Sequence, residues 1–177
     1  MESDNAQNGE QGQVQVEVQL RNFSMGDVDD FYEWASDEEV TRFMTWEPFK
    51  SKEHAREYVS KVVIPHPWFK AICLNGGNKA IGHIMLKQGS GIHSCRAELA
   101  YAISRNYWKM GVTTRAVATA VKMGFKELQG IERIEAFVLP ENVASSRVLE
   151  KAGFKKEASL PSYVHLKGGL RDCSLFS

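Results

Sequence analysis

The sequence predicts a single α/β domain, with a mixed and mostly antiparallel central sheet of about seven strands and four flanking helices. Three observations lead to that expectation. Short runs alternate apolar and polar residues at the period of a strand, and longer runs repeat apolar residues at the spacing of a helix. Asn75-Gly76-Gly77-Asn78 separates two strand-like runs with the residues that a tight hairpin needs. Residues 95–139 read strand, helix, strand, which implies one parallel pair joined by a right-handed crossover.

In chain order, Val14, Val16, Val18 and Leu20 alternate with polar residues and mark the first strand. Gly26-Asp27 opens a helix with Val28, Phe31, Tyr32, Trp34 and Ala35 at helical spacing. Ser51 starts a second helix through Ala55, Tyr58, Val59 and Val62, which Pro65 and Pro67 stop. Residues 68–74 and 79–86 form the hairpin, and 95–103 adds a third strand. The longest helix is expected over 114–128, with Val117, Ala120, Val121, Gly124, Phe125 and Leu128 on its apolar face. A strand at 131–139, a helix at 144–151 and strands at 154–160 and 170–176 complete the domain. Residues 1–13 have the polar composition of a disordered lead-in, which leaves 14–177 as the folded unit.

Composition narrows the function classes. With 177 residues, 43% hydrophobic and 25% charged, the chain has the balance of a soluble globular domain. Its 22 basic and 22 acidic side chains cancel, so no overall field steers it toward nucleic acid or an anionic membrane. No apolar run approaches the ~20 residues that span a bilayer, and the first residues lack the pattern of a secretory or transit segment. Cys73, Cys95 and Cys173 are odd in number and widely spaced, which argues against a disulfide framework and for a reducing compartment. A cytoplasmic location is expected, with the nucleus open. His93-Ser94-Cys95 comes nearest to metal-ligand spacing but has no second pair, so no metal site is expected.

Two strand-to-helix junctions carry the chemistry. Asn106-Tyr107-Trp108-Lys109-Met110-Gly111-Val112-Thr113-Thr114 leads into the longest helix. Such a turn can aim unpaired N–H groups and the positive helix end at an anion, although the same residues also suit a plain turn with a threonine cap. In Pro140-Glu141-Asn142-Val143-Ala144-Ser145, Asn142 stands where a helix N-cap is wanted, and Gly153 ends that helix where a left-handed residue is usual.

The Pro-Glu-Asn entry, Ser145 three residues on and the closing Gly153-Phe154 resemble the last motif of the GNAT N-acetyltransferases. The resemblance is greatest to their ribosomal-protein N-terminal acetyltransferase branch. Tyr107, Trp108, Gly111 and Thr114 match the turn that holds the coenzyme A pyrophosphate in that family. Lys109 departs from it, standing where glycine is usual, and so do Met110 and Thr113. Leu20-Arg21, Asp27-Val28, Ser36-Asp37-Glu38-Glu39-Val40, Trp46-Glu47-Pro48, Ala97-Glu98-Leu99-Ala100-Tyr101 and Gly169-Leu170-Arg171-Asp172 extend the likeness over residues 17–177.

The resemblance implies acetyl-CoA as acyl donor, without a metal. It implies that the strands at 97–103 and 131–139 splay apart, so that the pantetheine arm enters between them and pairs with backbone groups of Tyr101, Ala102 and Ile103. Lys109, Met110, Gly111, Val112, Thr113 and Thr114 would hold the pyrophosphate, and Asn142 and Ser145 would lie beside the far end of the arm.

Strand alternation puts Glu98 on one face with Ala100 and Ala102, opposite Leu99, Tyr101 and Ile103. A carboxylate among small apolar neighbours has raised proton affinity and can act as a base; the other reading is a solvated strand charge. Many family members place a tyrosine acid four residues before Gly-Phe, where this chain has Leu149. Ser145 is the expected replacement, hydrogen-bonding the departing thiolate, unless it is only a structural hydroxyl at a helix start. Trp46 and Phe49 either wall the acceptor side or pack their loop onto the core.

The expected reaction is direct transfer to a primary amine. An α-amine, with pKa ~8, is far more often neutral at physiological pH than a lysine at ~10.4, which favours a protein or peptide N-terminus. Small amines stay open as acceptors, and the chain is expected as a monomer or homodimer. The alternative is a non-catalytic acyl-CoA-binding or partner-binding domain on the same fold.

Overall fold

The computed structural model describes residues 16–177; Val14 and the lead-in at 1–13 lie outside the described residues. Strand β1 (Val18–Asn22) leads through a short turn into α1 (Val28–Ala35) and the single turn α2 (Glu38–Thr41). The turn is fixed by Arg21, whose guanidinium grips Asp27 at 2.6 and 2.9 Å, while the Ser24 N–H donates to the same carboxylate at 2.8 Å. That clamp is the physical content of the Leu-Arg and Asp-Val pairs in the sequence.

Helix α3 (Lys52–Tyr58) starts where Ser51 accepts the His54 N–H at 3.2 Å, and it runs on as a wide π-helical turn over Val59–Val63. Strands β2 (Phe69–Leu74), β3 (Gly82–Gln88) and β4 (Arg96–Ile103) form an antiparallel meander. Then follow α4 (Val112–Glu127), β5 (Arg133–Val138), α5 (Val143–Lys151), β6 (Lys156–Leu166) and β7 (Gly169–Phe176). The seven strands lie in the order β1-β2-β3-β4-β5-β7-β6, with β4 and β5 the parallel pair, so the expected α/β class and its single crossover are found.

One core layer joins the sheet to α4 and α5 through residues such as Leu86, Leu99, Val117, Ala120 and Leu149. The other joins it to α1 and α3 through Phe31, Trp34, Val59 and Phe69.

Three expectations are corrected. Strand β3 begins at Gly82, because residue 80 is pulled toward α1: its N–H donates to Asp30 at 2.9 Å and its carbonyl accepts the Trp34 indole N–H at 3.0 Å. Strand β6 continues beyond residue 160 and across Pro161 to Leu166, by slipping register between Leu160 and Val164. Phe125, expected on the apolar face of α4, is 48% exposed.

The sheet parts in the middle. Strands β4 and β5 pair only at Arg96–Arg133, Ala97–Ile134 and Glu98–Glu135. Beyond that rung β4 stays with β3 up to Ile103, whereas β5 goes over to β7 from Ala136 onward. The result is a wedge-shaped opening between two parallel strands, as the resemblance implied.

Candidate active site

At the wide end of the wedge the chain leaves β4 and enters α4. Trp108 anchors this junction by donating its indole N–H to the Ile103 carbonyl at 3.0 Å. The Ile103 carbonyl, expected to face the pantetheine arm, therefore already accepts one hydrogen bond. Gly111 is the N-cap of α4 at φ 76°, a left-handed conformation, and it supplies no side-chain cap. The first-turn N–H groups of Val112, Thr113 and Thr114 thus stand at a helix start with the positive end of its dipole, the chemistry that suits a pyrophosphate.

Lys109 departs from expectation. It stands where the resemblance calls for glycine, and its φ of 63° is the left-handed conformation that glycine adopts freely and a lysine does not. The turn retains the geometry that glycine usually supplies, and a lysine holds it under strain. Lys109, Met110 and Gly111 are all exposed, so the turn is open to a ligand.

On the other side of the wedge, Asn142 caps α5, its Oδ1 accepting the Ser145 N–H at 3.2 Å. Gly153 closes the helix at φ 99°, with the Phe154 N–H returning to the Leu149 carbonyl at 3.0 Å. Both termini follow the sequence reading. Leu149, at the position where the resemblance led to the expectation of a tyrosine acid, is fully buried in the core and offers no proton.

Ser145 is not a free hydroxyl. Its Oγ lies 2.7 Å from the Tyr101 hydroxyl, which also comes within 3.2 Å of the Ser145 carbonyl and has one proton to give to either. This contact bridges β4 to α5 across the opening. Burial pushes the Tyr101 phenol up to about 12, only partly opposed by the hydrogen bond to Ser145, so the phenol stays protonated at neutral pH. Sequence reasoning assigned Tyr101 a backbone role; its side chain gave no signal because its partner lies 44 residues away.

Glu98 occupies the last paired rung, at the apex of the wedge, flanked across the sheet by Lys87 and Glu135. The expected pocket of small apolar neighbours is not its main surrounding, and the residue is exposed. Crowding by protein still raises its proton affinity; Lys87 opposes this and Glu135 reinforces it. Because the carboxylate reaches solvent, that rise is modest in energy. Alternation places Glu98 on the face opposite Tyr101, so the two expected catalytic groups, Glu98 and Ser145, address the opening from opposite sides of β4.

The acceptor-wall residues divide. Phe49 is only 4% exposed and packs edge-on to Phe31 and Tyr58, so it belongs to the core beneath the site. Trp46 is half-buried over Tyr58 and His83, and its indole N–H has no partner. His83, to which the sequence reading gave no role, is 1% exposed and enclosed by Trp34, Trp46 and Phe69. Burial lowers its pKa to about 3, so the imidazole is neutral. Among the described residues no group of three metal-ligating side chains occurs, and no helix is long and apolar enough to cross a membrane.

A sheet parted between parallel strands, with an anion-binding helix start at one end and a capped helix beside the opening, is the architecture of an acyl-CoA-dependent acetyltransferase. The chain belongs to the GNAT family: the family model for the acetyltransferase (GNAT) domain matches residues 17–155. It is 32% identical to the uncharacterized N-acetyltransferase p20 of Bacillus licheniformis, over 89% of this chain and 90% of that one. Identity to the uncharacterized N-acetyltransferase YoaA of Bacillus subtilis is 30% over the same shares. Among solved structures it resembles a GNAT-family acetyltransferase from Bacillus anthracis, with a TM-score of 0.80 at 26% identity, covering 90% of this chain and 93% of that one. The fold also resembles spermidine N-acetyltransferase from Vibrio cholerae in complex with CoA and spermine, with a TM-score of 0.75 at 20% identity over 90% and 94%. The protein is an N-acetyltransferase.

Proposed function

We propose that the protein transfers the acetyl group of acetyl-CoA directly to a primary amine, and that a protein or peptide N-terminus is its favoured acceptor. The observation that carries this reading is the wedge that opens between β4 and β5 just beyond Glu98–Glu135. Backbone groups of β4 from Leu99 onward have no β5 partner there, so an amide-containing arm can add the missing hydrogen bonds. Thr113 and Thr114 at the start of α4 hold the pyrophosphate, and Asn142 positions Ser145 through its backbone N–H.

Glu98 receives the proton of the attacking amine, directly or through water. With the Tyr101 phenol donating to Ser145 Oγ at 2.7 Å, the serine keeps its own proton to hydrogen-bond the departing thiolate from the other face. Backbone N–H groups along the opened edge of β4 stabilise the carbonyl oxygen as negative charge grows on it. A site with one modestly activated carboxylate needs an acceptor that is already partly neutral, and this favours an α-amine over a lysine. A cytoplasmic setting fits free thiols at Cys73, Cys95 and Cys173.

Calorimetric titration with acetyl-CoA tests the donor site. Wild type should bind at micromolar strength, and Thr113→Asp should weaken binding at least tenfold by setting a carboxylate where the pyrophosphate lies, while leaving the helix start sound. Glu98→Gln should keep donor affinity and lower turnover of peptide N-termini by about a hundredfold. Failure of wild type to bind millimolar acetyl-CoA would remove the reading.

A further inference from the structure

The strand that opens the wedge also borders a cavity with a charge of its own. A pocket of about 190 Å³ lies beyond the end of β5, against α2 and the tip of the β6–β7 hairpin. Phe43 and Leu139 give it apolar walls, and its charged groups are Arg42, Lys167, Arg171 and Glu141. Glu141 is already committed to an ion pair with Arg171. Lys167 donates to the Thr41 carbonyl at 3.0 Å and meets Glu47 only at 3.6 Å, a carboxylate 72% exposed and therefore strongly screened. Arg42 lies over the Phe43 ring at 5.2 Å and pairs with no carboxylate among the described residues. The pocket thus holds an excess of positive charge that the protein itself leaves unbalanced.

The local backbone adds an independent sign. Lys167 and Gly168 form the hairpin turn at φ 48° and 82°, a conformation for which asparagine, aspartate or glycine is the usual first residue. A lysine there is strained, and the turn would be better served by another residue. The residue that bears this strain is one of the cations lining the cavity. The chain ties the cavity to the wedge: Leu139 and Glu141 of its lining lie between the end of β5, which bounds the opening, and Asn142, the cap that positions Ser145.

We infer that the acceptor amine carries an anionic group, which Arg42 and Lys167 receive in this cavity while the amine reaches the wedge. The inference rests on the acetyl-transfer reading and deepens it. The arginine fork suits a carboxylate or phosphate, and a cavity this small takes one such group rather than a whole ligand. A polyamine would meet like charge.

The test compares acceptors matched except for charge. One arm pairs amidated peptides with glutamate or glutamine as second residue; the other pairs free amino-dicarboxylates with their amides, and spermidine is the cationic comparator. The acid should be preferred at least tenfold in kcat/KM in one arm, which also tells peptide from small-molecule acceptors. Arg42→Gln and Lys167→Gln should each shrink that preference, with retained acetyl-CoA affinity showing that the variants fold. Equal use of acid and amide, a preference for spermidine, or a preference that survives both substitutions would overturn the inference. If no acceptor turns over although acetyl-CoA binds, the transfer reading fails. In that case the anionic amines are titrated calorimetrically into coenzyme-loaded protein: binding weakened by Arg42→Gln upholds the pocket, and absent or unaltered binding refutes it.

Discussion

Lys109 shows how much one residue can carry. Its φ of 63° stores strain that a glycine would not, of about 1 kcal/mol. Lys109→Gly should therefore raise stability by a few tenths to about 1 kcal/mol, since the greater chain entropy of glycine offsets part of the relief. The same change removes a cation beside the turn proposed to hold the pyrophosphate, so acetyl-CoA affinity should fall while the thermal midpoint rises. Scanning calorimetry and titration on one sample check both. Residues whose roles are local were legible in the sequence: Asn142 and Gly153 cap a helix by rules that need only their neighbours. The setting of Glu98 was not, because Lys87 and Glu135 reach it from other strands. Nor was His83, which reads as one polar residue in a strand until Trp34, Trp46 and Phe69 close around it.

Elements were easier to read than their edges. Four longer helices and seven strands follow from periodicity and turn residues, and the parallel crossover follows from chain order. The start of β3 and the length of β6 were hidden, because a side chain of α1 sets the first and a register slip the second. At Gly82 the meander itself depends on an absent side chain: a Cβ there would come within 2.4 Å of the Ala102 carbonyl oxygen and 2.8 Å of the Ile103 Cα. Those are backbone atoms of the strand that borders the wedge. Gly82→Ala should push β4 away from β3, costing about 2 kcal/mol or more, and weaken acetyl-CoA binding as well. Urea unfolding and titration measure the two effects. A neutral result in both would show that the strands separate freely here.

Over the whole molecule, the buried imidazole links stability to acidity. His83 titrates in the unfolded chain near its ordinary 6.5 but in the folded protein only at about 3. Between those values the unfolded chain takes up a proton that the native state refuses, so stability is full above the upper value and falls as pH drops. The loss reaches up to about 1.4 kcal/mol per pH unit. Asp27 adds a second, later loss: burial raises its carboxyl, but the Arg21 and Ser24 hydrogen bonds outweigh this and hold it below its ordinary 3.8. Its contribution therefore fades only in stronger acid. Denaturation midpoints from pH 7 to 4.5 should decline in wild type and decline less steeply in His83→Phe, where His66, also lowered by burial, leaves a residual slope; parallel slopes would contradict the assignment. The register slip in β6 matters at this scale too. Pro161 has no N–H, and the Ser162 N–H is turned inward to Asp172 at 2.8 Å. Two consecutive positions of this edge strand thus present no outward donor, which interrupts the ladder that a strand from another molecule would extend. A sheet parted in its interior between β4 and β5 thus carries, on the rim that β6 forms, a break that makes that edge a poorer template for growth.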